Sequence, residues 1–392
     1  MISVEDATKR IVAAFAPTQA QTVAIGEAAG RVLAEDVRAR MTQPPAPVSS
    51  MDGYAVRAAD VPGTLRMIGS SPAGHPFSGR VGAGETVRIF TGGVVPDGAD
   101  GIVIQEDTSA DGCSIAMKVA ARPGKHIREA GMDFREGDLL AAAGKRLSAR
   151  DLSLIAAGDV AQLSVRRRPR VAIAATGDEL SPPGKPRGPG GIVASSGYGL
   201  SAMVAGWGGE TVDLGILPDR VEAIERIAES ARDADLVVTL GGASVGDHDL
   251  IQKALGPKGF ALDFWKIAMR PGKPLIFGRL GATPLLGLPG NPVSTLVCAI
   301  LFLQPAICAL LGTSTVVPHT TARLACGLSA NDTRQDYVRA RLSTRDGEQW
   351  VEAFTVQDSS MLSALATADA LIVRAPHAPA AAEGERVEVI PL

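Results

Sequence analysis

The stretch LVVTLGGASVGDHDL, residues 236–250, begins with an apolar run and continues into a loop rich in glycine and acid. Two similar segments follow, DFWKIAMRPGKPLIFG at 263–278 and PLLGLPGNPVS at 284–294. Short apolar runs bounded by such loops predict buried strands of a parallel sheet, here at 236–240, 274–277 and 284–288. Because ligands of open α/β sheets bind outside the carboxyl ends of the strands, we expect the binding site in these loops.

The side chains of these loops suit a phosphorylated or oxyanionic ligand together with a divalent metal. Glycines let backbone N–H groups approach a ligand, carboxylates bind metal, and cations bind anions. A helix cap is the alternative role for Asp249, and one of the three cations is expected to be only solvated. The residues are Gly241, Gly242, Ser244, Asp247, Asp249, Lys266, Arg270 and Lys273.

The composition sets limits on the class of protein. A chain of 392 residues predicts about two to four domains. With a net charge of −3 and 4% aromatic residues, nothing indicates a nucleic-acid or membrane-surface partner. The four cysteines lack metal-binding spacing and the first 15 residues lack a signal-peptide core, so we expect reduced thiols and a cytoplasmic location. The apolar segment 293–311 is long enough to span a membrane, but Pro305 and the preceding turn favour a buried, kinked helix.

The amino-terminal part of the chain predicts helices around a β-rich insertion. Helical spacing predicts a helix at 4–15, and Ser148 should cap a second helix at 149–157. We expect these helices to pack together in a discontinuous linker domain, 1–44 and 138–168. Within the insertion, 45–137, the runs 86–90 and 101–107 are predicted to pair as neighbouring strands.

The rest of the chain predicts two more domains. Residues 169–316 alternate strands and helices, which predicts a doubly wound α/β sheet covered on both faces. Residues 317–392 contain five alternating runs that predict a small antiparallel barrel or sandwich. The predicted fold class is therefore a multidomain α/β plus β protein, with a central α/β domain, a linker domain carrying a β-rich insertion, and a C-terminal β-barrel.

Three further segments have both a structural and a functional interpretation. TGDEL at 176–180 is either a turn into a helix or a pair of carboxylates that hold Mg²⁺ in the crevice. Asp219, followed by Glu222, favours a helix cap over a ligand. The PGNP turn at 289–292 leads into a helix whose free N–H groups could bind an anion. No histidine lies in a recognisable nucleophile motif, which argues against a catalytic triad.

Seven motifs in this order give the chain a specific resemblance to a known family. They are SSMDGYA (49–55), FTGGVVPDGAD (90–100), IREAGMD (127–133), TGDEL, GGASVGDHD (241–249), MRPGKP (269–274) and LPGNPVS (288–294). The chain resembles the molybdopterin molybdenumtransferases, the MoeA family, which includes the E domain of gephyrin. The resemblance implies insertion of molybdate into adenylylated molybdopterin with Mg²⁺-dependent release of AMP. It also implies an elongated homodimer whose site lies between the central domain of one subunit and the N-terminal domains of the other. Molybdopterin adenylyltransferase and molybdoenzyme apoproteins are candidate partners.

The resemblance also implies roles for particular positions. Catalytic roles fall to Asp52, Thr91, Asp133, Glu179, Asp249, Lys266, Arg270 and Lys273. Metal ligation falls to Glu179, Asp219 and Asp249. Binding of the cofactor falls to Thr176, Gly177, Asp178, Asp219, Gly241, Gly242, Ser244, Gly246, Pro289, Gly290, Asn291 and Ser294.

The chain departs from the family pattern at two places. Ala194, Ser195 and Ser196 stand where the family often has an Asp/Asn-Ser-Asn run, and Gly93 stands where alanine is usual. Three other functions compete with this interpretation: a molybdopterin adenylyltransferase, a non-catalytic scaffold and a general nucleotide-binding protein. The adenylyltransferases usually consist of the central domain alone with a GGTG loop, whereas this chain has GGAS and flanking regions.

Overall fold

The chain folds into two compact units. The computed structural model describes the backbone of residues 1–241 and 247–392 and the side chains of residues 1–241 and 250–392. The first unit comprises 1–21, 30–34 and 165–392, and the second comprises 22–29 and 35–164. The chain passes between the units more than once, so each unit is discontinuous in sequence.

The helices of the described part lie mainly in the first unit. In chain order they are α1 Val4–Val12, α2 Ala149–Ala157, α3 Ser196–Gly206, α4 Val221–Glu225, α5 Ile227–Ser230, α6 Asp247–Leu255, α7 Pro292–Cys298, α8 Gln304–Leu311 and α9 Leu362–Ala366.

The strands divide between the units near residue 165. The strands up to that point are β1 Ala20–Ala24, β2 Val37–Arg38, β3 Val48–Ser49, β4 Gly53–Val56, β5 Gly63–Ser71, β6 Glu85–Ile89, β7 Gly101–Ile104, β8 Thr108–Asp111, β9 Ser114–Met117, β10 Ile127–Arg128, β11 Leu139–Ala141 and β12 Gln162–Arg166. The later strands are β13 Arg170–Thr176, β14 Leu180–Ser181, β15 Ile192–Val193, β16 Glu210–Leu217, β17 Leu236–Leu240, β18 Phe260–Trp265, β19 Met269–Arg270, β20 Ile276–Leu280, β21 Thr283–Leu288, β22 Thr320–Leu324, β23 Gln335–Arg345, β24 Glu348–Ala353, β25 Ala370–Arg374 and β26 Arg386–Pro391.

The central sheet of the first unit is mixed. Its strand order is β16-β13-β17-β21-β20-β18, and the first four strands are mutually parallel. β20 runs antiparallel to both of its neighbours. The prediction of parallel strands is therefore right for 236–240 and 284–288 but wrong for 274–277. The reason is that only residues 281–282 join β20 to β21, and a parallel connection needs a crossover of a dozen residues or more.

Helices cover both faces of this sheet, as the alternating pattern predicts. On one face, Val171 and Ile173 of β13 pack in a core with α1, α3, α7 and α8. On the other face, Ala172 and Ala174 pack in a second core with residues of α4, α5 and α6. Adjacent residues of a strand point to opposite faces, so an uninterrupted apolar run serves both layers.

The apolar segment after the PGNP turn forms a core helix. The stretch Pro292–Leu311 has the length and hydropathy of a membrane span, yet 72% of its apolar window is buried inside the protein. The prediction of a buried helix is thus confirmed. A π-helical turn, Ala299–Leu303, precedes Pro305, which lies in the first turn of α8. Proline is tolerated there because the first N–H groups of a helix have no partner within it.

The C-terminal region is a closed five-stranded barrel, which confirms the barrel prediction. Its strands follow the order β23-β24-β22-β26-β25, and β25 pairs back onto β23. One expectation fails, since β22 and β24 are parallel where all pairs were predicted to be antiparallel. The short strand β19 pairs with β23, which ties the segment after Trp265 to the barrel.

The β-rich part of the second unit is a six-stranded sheet with the order β7-β4-β6-β5-β9-β8. The predicted pairing of β6 with β7 is wrong, because β4 lies between them and pairs antiparallel with both. The connection from Ile89 to Gly101 is long enough to pass around an inserted strand. β4 is buried along its whole length, which fits an interior strand with a neighbour on each side.

The two helices assigned to a linker domain belong to different units. Helix α1 buries Val4, Ala7 and Ile11 in the first core, whereas α2 lies in the second unit. The expectation that they pack together is therefore wrong, because the apolar stripe of α1 already has a partner in the core that contains α8. The start and end of α2 are as predicted. Ser148 caps it and exchanges hydrogen bonds with Asp151 in a capping box.

Candidate active site

A cavity of about 600 Å³ lies at the carboxyl ends of the central parallel strands. Loops after all four parallel strands, β13, β16, β17 and β21, line it, and they meet because parallel strands end at the same edge of a sheet. Of the residues predicted from sequence, these line the cavity: Thr176, Gly177, Glu179, Asp219, Gly241, Pro289, Gly290, Asn291 and Ser294.

Two glycines shape the loops that line the cavity. Gly177 has φ of +150°, a backbone conformation that other residues rarely adopt, and a Cβ there would lie 2.6 Å from Oε2 of Glu179. Gly241 has φ of +89°, and a Cβ there would lie 2.8 Å from the carbonyl oxygen of Thr176. This second contact is with the backbone of the neighbouring loop, so a larger residue at 241 would displace the cavity wall.

Two carboxylates, Glu179 and Asp219, line the cavity and are exposed to it. Asp178 does not line it, and its Oδ1 accepts a hydrogen bond of 3.2 Å from the N–H of Asp219. The cap predicted for Asp219 is wrong, because α4 begins one residue later with Arg220 in the N-cap position and no side-chain cap. The hydrogen bond from its N–H to Asp178 therefore helps to hold Asp219 in position.

Two helices begin at the cavity. Ser195, Ser196 and Gly197 at the start of α3 line it, and so do Pro292 and Ser294 at the start of the core helix. The first N–H groups of each helix lack partners within the helix and carry partial positive charge. Ser294 is only 5% exposed, and its hydroxyl has no hydrogen-bond partner within the described residues. This part of the wall can accept an anion.

One wall of the cavity comes from the C-terminal region, where the family resemblance indicates Arg339, Ser359 and Ser360 less firmly than the other positions. Ser360 and Leu362 line the cavity, and the N–H of Val293 donates to the carbonyl oxygen of Ser359 over 3.2 Å. Nδ2 of Asn291 donates to Oγ of Ser359 over 2.9 Å. No local sequence motif predicts these contacts, because Asn291 and Ser359 lie 68 residues apart in the chain.

Arg339 holds this C-terminal loop. Its side chain is 2% exposed, and its guanidinium donates to Oε1 of Gln357 and to the carbonyl oxygen of Asp358 at 3.2 and 2.8 Å. Burial lowers the pKa of Arg339, while the nearby Asp358 carboxylate partly offsets this. The loop that carries Ser360 is thus fixed by a buried cation within the barrel.

The three predicted anion-binding cations lie outside the described lining of the cavity. Nζ of Lys266 lies 3.7 Å from the ring centroid of Trp265, and Lys273 is exposed. Nε of Arg270 donates to both oxygens of Asp336 at 3.0 Å, and its Nη1 lies 3.5 Å from the Asp332 carboxylate. These carboxylates raise the pKa of Arg270 despite partial burial.

Two of the predicted residues in the second unit contact each other. Oδ1 of Asp52 accepts hydrogen bonds from the N–H and from the hydroxyl of Thr91, at 2.7 and 2.9 Å. These bonds lower the pKa of Asp52, the backbone bond having the larger effect. Asp133 is exposed on the turn after β10, where its N–H donates to the carbonyl oxygen of Gln43. The remaining predicted residues, Gly242, Ser244, Gly246 and the side chain of Asp249, lie outside the described residues.

One expectation about Asp249 is settled by the backbone. Helix α6 includes Asp247 and Asp249, so Asp249 is not the residue that precedes the helix. The alternative role of Asp249 as a helix cap is therefore wrong.

Family models match three successive regions of the chain. Residues 2–158 match the MoeA N-terminal region (domain I and II), 172–309 match the model described as "Probable molybdopterin binding domain", and 321–392 match the MoeA C-terminal region (domain IV). The chain belongs to the molybdopterin molybdenumtransferase family. The cavity described above lies in the second and third of these regions.

Individual relatives agree with this assignment over the whole chain. A molybdopterin molybdenumtransferase of Haemophilus influenzae is 35% identical over 96% of this chain and 94% of its own length. A protein of the same name from Nostoc is 38% identical over 73% of this chain and 68% of its own length. The crystal structure of a molybdopterin biosynthesis MoeA protein from Pyrococcus horikosii superposes with a TM-score of 0.85 at 30% identity, and it covers 100% of this chain and 99% of that one. The protein is thus an enzyme of molybdenum cofactor biosynthesis.

Proposed function

We propose that this enzyme inserts molybdate into adenylylated molybdopterin and releases AMP in a Mg²⁺-dependent reaction. The observation that supports the proposal best is the composition of the cavity. It places the carboxylates of Glu179 and Asp219 beside the starts of two helices. A phosphoanhydride with its metal ion needs both features, because N–H groups bind phosphate oxygens and carboxylates bind the cation.

The donor set fits Mg²⁺. Glu179 and Asp219 offer carboxylate oxygens, the hard ligands that Mg²⁺ prefers, and Mg²⁺ usually needs only one or two carboxylates in addition to substrate phosphates. Bound there, the ion would neutralise charge on the phosphoanhydride. The two carboxylates would hold it, and the loop supported by Asp178 would keep Asp219 in position.

The helix starts would orient the substrate. Ser195, Ser196 and Gly197 at the start of α3 and Ser294 in the first turn of the core helix line the same cavity. These residues would bind phosphate oxygens and hold the anhydride beside the carboxylates. Molybdate is also an oxyanion, and molybdopterin supplies its own dithiolene sulfurs, so the protein needs no thiolate ligand.

We further propose that the enzyme acts as a cytoplasmic homodimer, with the β-rich insertion, the central α/β region and the C-terminal barrel as separate domains. Asp52 and Asp133 of the second unit would then complete the site across the dimer, as the family resemblance implies. The hydrogen bonds from Thr91 keep Asp52 ionised, which suits a role in binding metal or positioning a ligand. Lys266, Arg270 and Lys273 remain the proposed anion-binding cations. Molybdopterin adenylyltransferase and the apoproteins of molybdoenzymes are the proposed partners in substrate supply and product delivery.

The proposal is tested by Glu179→Gln, which keeps the side-chain shape and removes the charge. With purified enzyme, adenylylated molybdopterin, molybdate and Mg²⁺, we expect AMP release to fall about 100-fold or more, as typical for loss of one preorganised electrostatic contact. The matched control is Glu229→Gln, an exposed residue of α5, which should release AMP at the wild-type rate. Synthesis of adenylylated molybdopterin from ATP by the wild type would instead identify an adenylyltransferase.

A further inference from the structure

A second cavity, of about 490 Å³, adjoins the first on the α3 side of the central sheet. The two cavities share a wall of small and aliphatic residues: Ala175, Leu180, Ala194, Gly197 and Leu240. The second cavity differs in chemistry, since Asp213 is the single charged residue among the described residues that line it. Aliphatic walls with one placed polar group are typical of a site for a flat heterocycle.

A β-bulge aims Asp213 at this cavity. The register of β13 and β16 shifts so that Ile173 pairs with Asp213 and Ala175 pairs with Ile216. Gly215 lies within the bulge with φ of +75°, and its N–H donates to Oδ1 of Asp213 over 2.8 Å. Bulges of this kind re-aim side chains next to functional sites. The carboxylate is thus fixed by one backbone bond and keeps acceptor capacity for a ligand.

Tyr198 supplies an aromatic surface at the same cavity. It lies in the first turn of α3, lines the cavity and remains 64% exposed, which is unusual for a large aromatic side chain. Ser201, three residues further along α3, also lines the cavity and adds a hydroxyl. An exposed ring beside a carboxylate can stack on a planar ligand while the carboxylate binds its edge.

We propose that this second cavity is the subsite for the pterin end of the substrate, with Asp213 binding the aminopyrimidinone edge and Tyr198 stacking on the ring. The inference rests on the proposed function, which supplies a substrate with a pterin at one end and an adenine at the other. A pterin presents two adjacent donors, N3–H and the 2-amino group, which match the two oxygens of a carboxylate. Adenine presents one amino group beside an acceptor nitrogen, which a carboxylate would repel.

The positions of the two cavities also match the order of the phosphate and pterin groups along the substrate. The phosphates would lie in the first cavity at the helix starts, and the pterin would pass the shared wall at Gly197. This glycine lines both cavities, and a Cβ there would lie 3.9 Å from Leu240. Selection of the pterin thus falls to residues of α3 and β16 that do not bind phosphate or metal.

The test measures binding of two probes, pterin itself and AMP, to the full-length protein by calorimetry. In Asp213→Asn, which can keep the bond from Gly215, we expect pterin affinity to fall about tenfold, the effect of losing one bidentate contact, while AMP affinity stays the same. Tyr198→Leu should weaken pterin in the same direction, and Tyr198→Phe should restore it. Asp111→Asn, an exposed residue of β8, is the control that should bind both probes like the wild type.

Three results would overturn the inference: the wild type fails to bind pterin, Asp213→Asn binds pterin with unchanged affinity, or Asp213→Asn loses affinity for AMP instead of pterin. The last result would assign the cavity to adenine. Because these measurements involve no turnover, they remain decisive if the enzyme fails to consume adenylylated molybdopterin, which would contradict the proposed function alone.

Discussion

Two walls of the main cavity are built by different means. The wall at the ends of β13, β17 and β21 is backbone, and its shape depends on positive-φ glycines such as Gly177 and Gly241. The opposite wall, at Ser360, is a loop held in place by the side chain of Arg339. A wall built from backbone moves only if the sheet moves, whereas a loop held by one side chain can be released by one substitution. The two walls should therefore respond differently to mutation.

The largest effect is expected from Arg339→Met, which removes the side-chain support of the loop. Methionine fills most of the space but removes the guanidinium bonds to Gln357 and to the Asp358 carbonyl, which keep only the backbone N–H groups of residues 339 and 361 as donors. We therefore expect a loss of about 2–4 kcal/mol in the free energy of unfolding. Denaturant titration measures this loss. Limited proteolysis within 357–361 should become faster as the loop is released, and AMP release should fall with it.

Arg341→Met is the control for Arg339→Met. Arg341 lies on the same strand but is exposed, so its replacement should change the free energy of unfolding by about 0.5 kcal/mol or less. Equal stability of the two variants would show that the guanidinium of Arg339 does not support the loop.

A smaller effect is expected at the backbone wall from Gly241→Ala. The methyl group would meet the Thr176 carbonyl at 2.8 Å in a backbone conformation that alanine adopts at a cost, so we expect a loss of about 1–2 kcal/mol. Gly206→Ala is the matched control, because Gly206 lies in α3 with open space around its Cβ position and should become more stable by up to about 1 kcal/mol. A loss of stability in Gly206→Ala equal to that in Gly241→Ala would show that the close approach is not the cause.

The sequence predicts the backbone wall well and the side-chain wall hardly at all. The strands at 236–240 and 284–288 end in glycine-rich loops, and parallel strands bring such ends together whatever the rest of the chain does. For this reason Thr176, Glu179 and Gly241 could be placed in one cavity before the fold was known. Residue patterns could not place Ser360, which only the family resemblance indicates. Its position depends on the buried Arg339 and on a contact between Asn291 and Ser359, which are distant in the chain.

Contacts between distant segments limit prediction elsewhere too. The charge of Arg270 is visible in the sequence, but the carboxylate of Asp336 that pairs with it lies 66 residues away in the barrel. Likewise, β4 is only four residues long and gives no sign that it will separate β6 from β7. Local patterns determine which segments become strands, whereas the order of strands and the partners of charges depend on contacts between distant segments.

The smallest effect concerns the second unit, where a carboxylate is held by both kinds of contact. Asp52 accepts one bond from the Thr91 N–H and one from its hydroxyl, and Thr91→Val removes only the second. We expect the pKa of Asp52 to rise in the variant and yet to stay below its ordinary value, because the backbone bond has the larger effect. An NMR titration of the Asp52 carboxyl measures both parts, and Thr64→Val, an exposed residue of β5, should leave that pKa unchanged.

The sign of the pH dependence follows from the lowered pKa of Asp52. An unfolded aspartate titrates near about 3.9, so the stabilisation from this site is complete above that pH and is lost as the pH falls through the lower pKa of the folded state. In Thr91→Val the stabilisation should be smaller and its loss should be complete at a higher pH, and the acid limb of AMP release should move to higher pH if ionised Asp52 takes part in the reaction. A pKa that reaches its ordinary value in Thr91→Val would mean that the hydroxyl alone holds the carboxylate. Asp52 would then be held by a side chain, as the loop at Ser360 is, rather than by backbone.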